Sequence, residues 1–345
     1  MSVDVLAFQR DMTWFVLPEF RMRVKAGKAV FQAPERNQVA RPVSRPKWLY
    51  KAAGFVYKLS KQRCGGSLYF RPKNLDDAIS VLSSSGGQIL AGGTDFYPAL
   101  GERLPQGDVV DITAVREIRG VSTEERYFRI GGLTTWTEVV RAPLPHCFDA
   151  LKAAAREIGS VQIQNCGTVA GNLCNASPAA DSVPALLVLD AEVELVSTGG
   201  ARRLPLAQFI TGNRRTQIRA DEVLTAVLVP RQCESAASAF LKLGARKYLV
   251  ISISMVAVIL ESNSSGCVSQ ARVAVGSCSA VARRLFDLEK DLLGQPADPQ
   301  IGSLVGPQHL ATLSPIDDIR ATAEYRRDAS VTLVRRALQA CVGRT

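Results

Sequence analysis

Two stretches of this chain place glycines beside polar side chains in a way that suits a charged ligand. In "QILAGGTDFYPAL", residues 88–100, an apolar run ends in Ala91-Gly92-Gly93 and is followed by Thr94 and Asp95. Lacking Cβ atoms, Gly92 and Gly93 let the backbone turn sharply and bring its N–H groups close to an anion. Successive N–H groups in such a turn make a concave anion site, and Thr94 adds a hydroxyl. A plain turn would use the same residues. No Lys follows the glycines and the G-x-G-x-x-G spacing is absent, so this is neither a nucleotide-hydrolase loop nor a dinucleotide-binding turn. The second stretch is "GSVQIQNCGTVAGNLCNASPAADSVPALLVLDAEVEL", residues 159–195. Gly167, Thr168, Gly171 and Asn172 read as another small-residue turn with amide and hydroxyl donors. Two such turns could hold one diphosphate from two sides. Asp181, in the first turns of a helix after Ser177-Pro178, suits a ribose or ribityl hydroxyl, or is an ordinary acid on a solvated face.

Other chemistries find little support. No nucleophile–base pair is evident: His146 lies between Pro145 and Cys147 without an apparent acidic partner, and His309 is isolated, so no catalytic residue and no zinc site are expected. The eight cysteines, Cys64, Cys147, Cys166, Cys174, Cys233, Cys267, Cys278 and Cys341, contain no C-x-x-C. Their wide spacing suggests reduced thiols of a cytoplasmic protein, with no metal or cluster in this chain. The net charge of +10 invites a nucleic-acid reading, but thirteen cations and four acids fall within residues 1–65. The remainder is close to neutral, which argues against a groove for phosphate backbones.

These residues need elements to position them. Residues 1–65, basic and interrupted by Pro34, Pro42 and Pro46, suggest a flexible extension or a docking arm. Order is expected from near Ser67. The pattern predicts a strand at "SLYFRP", a helix over Leu75–Ser83 capped by Asn74, strands at 88–90, 108–113 and 127–135, and helices over Thr134–Arg141 and Phe148–Ile158. A helical stretch over Pro178–Leu189 and strands at 191–197 and 222–230 complete a domain of residues 66–236. A second unit, 237–345, holds "AFLKLGAR", a strand at 271–277 and helices near Arg283–Leu293 and Ala329–Cys341. The thirteen-residue apolar run Tyr248–Leu260 is too short for a bilayer, which needs about 20 residues, and predicts one buried strand. Strands followed by helices give an α+β class.

Taken together, "LAGGTD", the 159–195 stretch, "TGNRRTQIRADEVLTAVLVP", "FLKLGARKYLVISISMVAVIL" and "DDIRATAEYRRDASVTLVRRAL" resemble the FAD-binding medium subunit of molybdenum hydroxylases, the xanthine dehydrogenase and carbon monoxide dehydrogenase family. The likeness covers roughly residues 67–342. It implies the two-lobed FAD-binding fold of the vanillyl-alcohol oxidase, or PCMH, type followed by a small α+β domain. It implies FAD in this chain, held by Ile89, Leu90, Ala91, Gly92, Gly93, Thr94, Asp95 and Phe96 in the first turn and by Thr168, Val169, Ala170, Gly171 and Asn172 in the second. Asp181 matches the family's acidic cofactor contact, Leu224 an apolar residue against the flavin, and Lys242 a lysine near the isoalloxazine ring. Core packing for Leu224 and a solvated strand end for Lys242 are the alternatives. The family often has two glycines where this chain has Ala170-Gly171, which matters only if that position needs positive φ. The likeness further implies a molybdopterin-binding large subunit and a small subunit with two [2Fe–2S] clusters as partners, and NAD+ or another acceptor. Some relatives carry an extra cluster in a cysteine-rich loop; only Cys147 and Cys166 lie between Asp95 and Thr168 here, so none is expected. A free-standing FAD oxidase of the same fold, or a non-enzymatic binding protein working through its basic arm, are the alternatives. Arg320, Tyr325, Arg326 and Arg327 in the tail motif suit solvated helix charges or subunit contacts.

Overall fold

The computed structural model describes residues 22–25, 28–31, 61–64 and 67–342. They fall in two units, residues 1–57 and 58–345. In the first, β1 (Met22–Lys25) and β2 (Lys28–Phe31) pair as an antiparallel hairpin. The remainder of the expected flexible arm lies almost wholly outside the described residues.

The second unit opens with β3 (Lys61–Cys64), antiparallel to β4 (Ser67–Phe70), so order begins before Ser67. Helix α1 (Leu75–Ser85) starts where its cap dictates: Asn74 Oδ1 accepts the Asp77 N–H at 2.8 Å, and Asp76 and Asp77 sit at the positive end of the helix dipole. Strand β5 (Gln88–Leu90), helix α2 (Phe96–Leu100) and β6 (Val109–Asp111) complete a sheet ordered β3-β4-β6-β5, with β6 parallel to both neighbours. Ala78, Ile79, Val81 and Leu82 of α1 pack with Phe70, Val110 and Ile112 in the core of this first lobe.

The second lobe begins with β7 (Val121–Thr123) and β8 (Tyr127–Gly131). Five short helices follow: α3 (Trp136–Arg141), α4 (Asp149–Glu157), α5 (Val161–Cys166), α6 (Val169–Asn175) and α7 (Ser182–Val188). Then come β9 (Glu192–Ser197), β10 (Gly200–Pro205), α8 (Leu206–Phe209), the hairpin β11 (Ile210–Gly212) and β12 (Arg215–Thr216), and β13 (Val223–Pro230). The sheet order is β10-β9-β13-β8-β7, antiparallel throughout. Helices α5 and α6 occupy a stretch whose glycines had suggested only a turn. Ser160 and Thr168 cap them, each hydroxyl accepting an N–H three residues on.

The third sheet, β14 (Ala237–Leu243), β15 (Ser254–Ser262), β16 (Val268–Gly276) and β17 (Arg283–Arg284), is antiparallel in chain order. Along β15, Met255, Ala257 and Ile259 join the core of α4 and α7, while Val256, Val258 and Leu260 join a second core with α9 (Phe286–Leu292) and α10 (Ala323–Val342). A strand covered on both faces shows no alternation in sequence, which is why Tyr248–Leu260 suggested one long strand. Only its second half is one. Residues 248–253 precede it as a loop, with Leu249 at φ +50° and Tyr248, Leu249 and Ile251 exposed. In α10, Arg326 is not a solvated charge: it is 3% exposed, pairs with Asp318 at 2.7 Å and donates to the Ile253 carbonyl at 2.6 Å. The architecture is α+β.

Candidate functional site

A cavity of about 850 Å³ opens where the two lobes meet the third sheet. Fourteen of the sixteen residues expected at a site line it: Ile89, Ala91, Gly92, Gly93, Thr94, Asp95, Phe96, Thr168, Ala170, Gly171, Asn172, Asp181, Leu224 and Lys242. Leu90 and Val169 do not; both are buried, Val169 in the core of the second lobe.

The two glycine-bearing segments touch. The α-carbon of Gly92 lies so close to the end of α5 that a Cβ there would sit 2.0 Å from the Cys166 carbonyl oxygen. Gly93 has φ +73°, a left-handed conformation that glycine adopts without strain. Among the described residues, the N–H groups of Gly92, Gly93 and Thr94 donate to no protein acceptor. Asn175 Nδ2 donates to Asp95 Oδ1 at 2.8 Å, and Arg214 donates to Asn175 Oδ1, so the first turn is tied to the end of α6 and to the β11–β12 hairpin.

The second segment differs from the turn that its glycines suggested. Gly171 and Asn172 are helical, in the first turn of α6. The N–H groups there are already used: Val169 donates to the Thr134 carbonyl, Ala170 to the Gly132 carbonyl and Gly171 to Thr168 Oγ1. This segment therefore presents side chains rather than backbone donors, through the Thr168 hydroxyl and Asn172 Nδ2. Asn172 Oδ1 is held by the Ser182 hydroxyl at 2.6 Å, which turns the amide nitrogen outward from that bond. Ala170 has helical backbone, so alanine in place of a second glycine carries no conformational cost. Replacing Thr168 with Ala removes the cap and is expected to cost about 1 kcal/mol. A calorimetric melt should fall by about 2–4 °C and recover in Thr168→Ser.

Leu224 faces the cavity at an irregularity of β13, where the register against β9 shifts between Leu224 and Ala226. Asp181 and Lys242 contribute a charged pair to the lining. They pair at 2.6 Å with both side chains nearly buried, and Ser252 Oγ donates to the other Asp181 oxygen at 2.5 Å. Asp181 is thus not on a solvated face, nor is Lys242 a solvated strand end. Burial pushes the Asp181 carboxyl up, against the charge of Lys242 and the two hydrogen bonds. Lys242 Nζ also reaches the Glu157 carbonyl at 3.5 Å.

Several wall residues carried no signal in sequence. Leu249, Val250 and Ile251, inside the run read as a strand, complete the wall from the loop before β15, and Ser252 is buried next to them. Arg214 reaches the site only because the hairpin folds back, with φ +57°. Cys174 lines the cavity as a neutral thiol, its pKa pushed up to about 12 by desolvation. His146 does have an acidic partner, Asp149 at 3.1 Å, but on an exposed surface away from the cavity. His309 is buried and bonded to Asp291 at 3.1 Å. No helix among the described residues is long and apolar enough to cross a membrane.

Residues 60–232 match the model of the FAD binding domain in molybdopterin dehydrogenase, and residues 239–341 that of the CO dehydrogenase flavoprotein C-terminal domain. The nicotinate dehydrogenase FAD-subunit of Eubacterium barkeri is 35% identical over 66% of this chain and 80% of its own. The xanthine dehydrogenase FAD-binding subunit of Escherichia coli O157:H7 is 31% identical over 79% and 95%. In fold, the chain is similar to a subunit of reconstituted CO dehydrogenase from Oligotropha carboxidovorans, with a TM-score of 0.76 and 26% identity over 82% of this chain and all of that one. Both domain models match in order and the glycine-bearing segments meet at one cavity, so the chain belongs to the xanthine dehydrogenase and carbon monoxide dehydrogenase family of FAD-binding medium subunits, a family of oxidoreductase components.

Proposed function

We propose that the chain is the electron-transfer subunit of a cytoplasmic molybdenum hydroxylase, with FAD in the 850 Å³ cavity. When bound, FAD supplies the redox chemistry that links [2Fe–2S] clusters of a small partner subunit, fed by a molybdopterin-binding large subunit, to NAD+ or another acceptor. The chain's own residues bind and orient. Unpartnered N–H groups at Gly92, Gly93 and Thr94 suit diphosphate oxygens. The Thr168 hydroxyl and Asn172 Nδ2 approach from the facing segment. Asp181 would accept from a hydroxyl of the cofactor, Leu224 would offer an apolar surface to the ring, and Lys242 would place positive charge near it. Ile89, Ala91, Asp95, Phe96, Ala170 and Gly171 shape the cradle, with Leu90 and Val169 holding it from the core. A FAD-binding domain over 66–236 and a covering domain over 237–345 fit this division of labour, with 1–65 as an appended arm.

The observation that carries the reading is the first turn: a close approach to the Cys166 carbonyl that leaves no room for a Cβ at Gly92, with free amides, lining the same cavity as a buried acid–lysine pair. The test is a visible spectrum of the purified full-length chain. Stoichiometric oxidised-flavin absorption, with iron–sulfur and molybdopterin subunits co-purifying, is expected. A protein that stays colourless after incubation with excess FAD would overturn the proposal.

A further inference from the structure

Asp181 belongs to the FAD-binding domain, yet both groups that hold its carboxylate come from the other one. Lys242, at the end of β14, takes Oδ2, and Ser252, in the loop before β15, takes Oδ1. Asp181 makes no cap of its own helix, so nothing in α7 fixes its rotamer. Ser252 is 2% exposed, and among the described residues Asp181 is the hydrogen-bond partner of its hydroxyl. Loop residues beside it, Leu249, Val250 and Ile251, form cavity wall.

We propose that Ser252 is a positioning residue for the cofactor: it fixes the Asp181 carboxylate, so that the loop before β15 and the acidic contact to FAD adopt their places together. This rests on reading the cavity as the FAD site. Each carboxylate oxygen has two lone pairs. With one on each side taken, the remaining ones face a ligand in a set direction. A hydrogen bond from a hydroxyl also favours the ionised form, the form that accepts. The charged groups around Asp181 are Lys242 and Glu157, and Ser252 is the neutral donor. Removing the Ser252 hydroxyl takes away one of the two bonds opposing burial, so Asp181 holds its proton to higher pH.

The experiment compares wild type, Ser252→Ala, Asp181→Asn and the double variant as full-length chains. FAD affinity is measured by flavin fluorescence from about pH 5 to about pH 9, and melting temperature is followed without cofactor over the same range. Ser252→Ala is expected to weaken FAD binding about tenfold. It should raise the pH at which affinity falls off by about one unit, and extend to higher pH the decline in melting temperature. In the Asp181→Asn background, the same substitution should change neither quantity. An equal loss in both backgrounds, or an unmoved pH profile, overturns the proposal and leaves Ser252 a packing residue. Wild-type protein that binds no FAD overturns the reading of the cavity instead, and the cofactor-free melts then decide separately whether Ser252 holds Asp181.

Discussion

Gly92→Ala is expected to yield protein without bound FAD. The substitution adds one methyl group in a backbone conformation that any residue can adopt, so strain is not the cause. The methyl carbon would lie 2.0 Å from the Cys166 carbonyl oxygen and 2.8 Å from its carbon. These are main-chain atoms at the end of α5, and they cannot swing aside as a side chain can. The two segments must separate, which moves the Gly92, Gly93 and Thr94 amides away from the facing Thr168 and Asn172. Losing about two charge-assisted hydrogen bonds lowers FAD affinity on the order of 10²- to 10³-fold. Gly93→Ala should do less. Its φ of +73° makes alanine cost about 1–2 kcal/mol, but the atoms it meets belong to the Tyr97 ring, which is largely exposed and can move. Flavin absorbance per polypeptide, read beside far-ultraviolet circular dichroism, separates loss of cofactor from loss of fold. Gly92→Ala protein that retains stoichiometric FAD would refute the close approach.

Lys242→Met should be the most destabilising change at the buried acid–lysine pair of the cavity. It leaves Asp181 buried with Ser252 as its remaining side-chain partner, and removing one member of a buried pair costs about 3–5 kcal/mol. The melting temperature should fall by about 10 °C. The loss depends on pH with a definite sign. Asp181's folded pKa lies above its unfolded value of 3.8, so between the two the folded state binds more protons than the unfolded one. Stability falls as pH rises through that window. Without Lys242 the folded value climbs further and the window widens upward. Lys242→Met should therefore sit nearer wild type in mildly acidic buffer than at neutral pH. Lys242→Met combined with Asp181→Asn removes the orphaned charge and should recover most of the loss. Melts across pH that show a constant deficit would mean the damage is packing alone.

The sequence was legible where local chemistry decides. Asn74 and its acids marked α1, and the glycine turn after β5 was plain because its backbone needs are met by residue type alone. It was least legible where tertiary structure decides. Thr168 caps a helix, but Gly171 inside the first turn argues for a loop, and it takes the distant carbonyls of Gly132 and Thr134, just past β8, to help hold that turn in place. Burial on both faces hid the start of β15, since Ile251 and Ile253 look the same as Ile259 in the chain. Asp181 and Lys242 were found by family resemblance, yet their pairing links positions 61 residues apart, a distance over which no sequence period operates. Arg326 illustrates the converse: a charge in a run of charges reads as solvated until the carbonyls of Ile253 and Ser277 are seen around it.

The wall contributed by Leu249, Val250 and Ile251 has a consequence for how the protein is made. The ribosome releases the first glycine turn long before it synthesises that loop, and domains fold in the order they emerge. The nascent chain can shape the first glycine turn early, but cannot complete the cavity wall until β14 and the loop after it have left the exit tunnel. Flavin incorporation is accordingly expected late in biogenesis, and a chain stalled shortly after β13 should emerge folded in part and colourless.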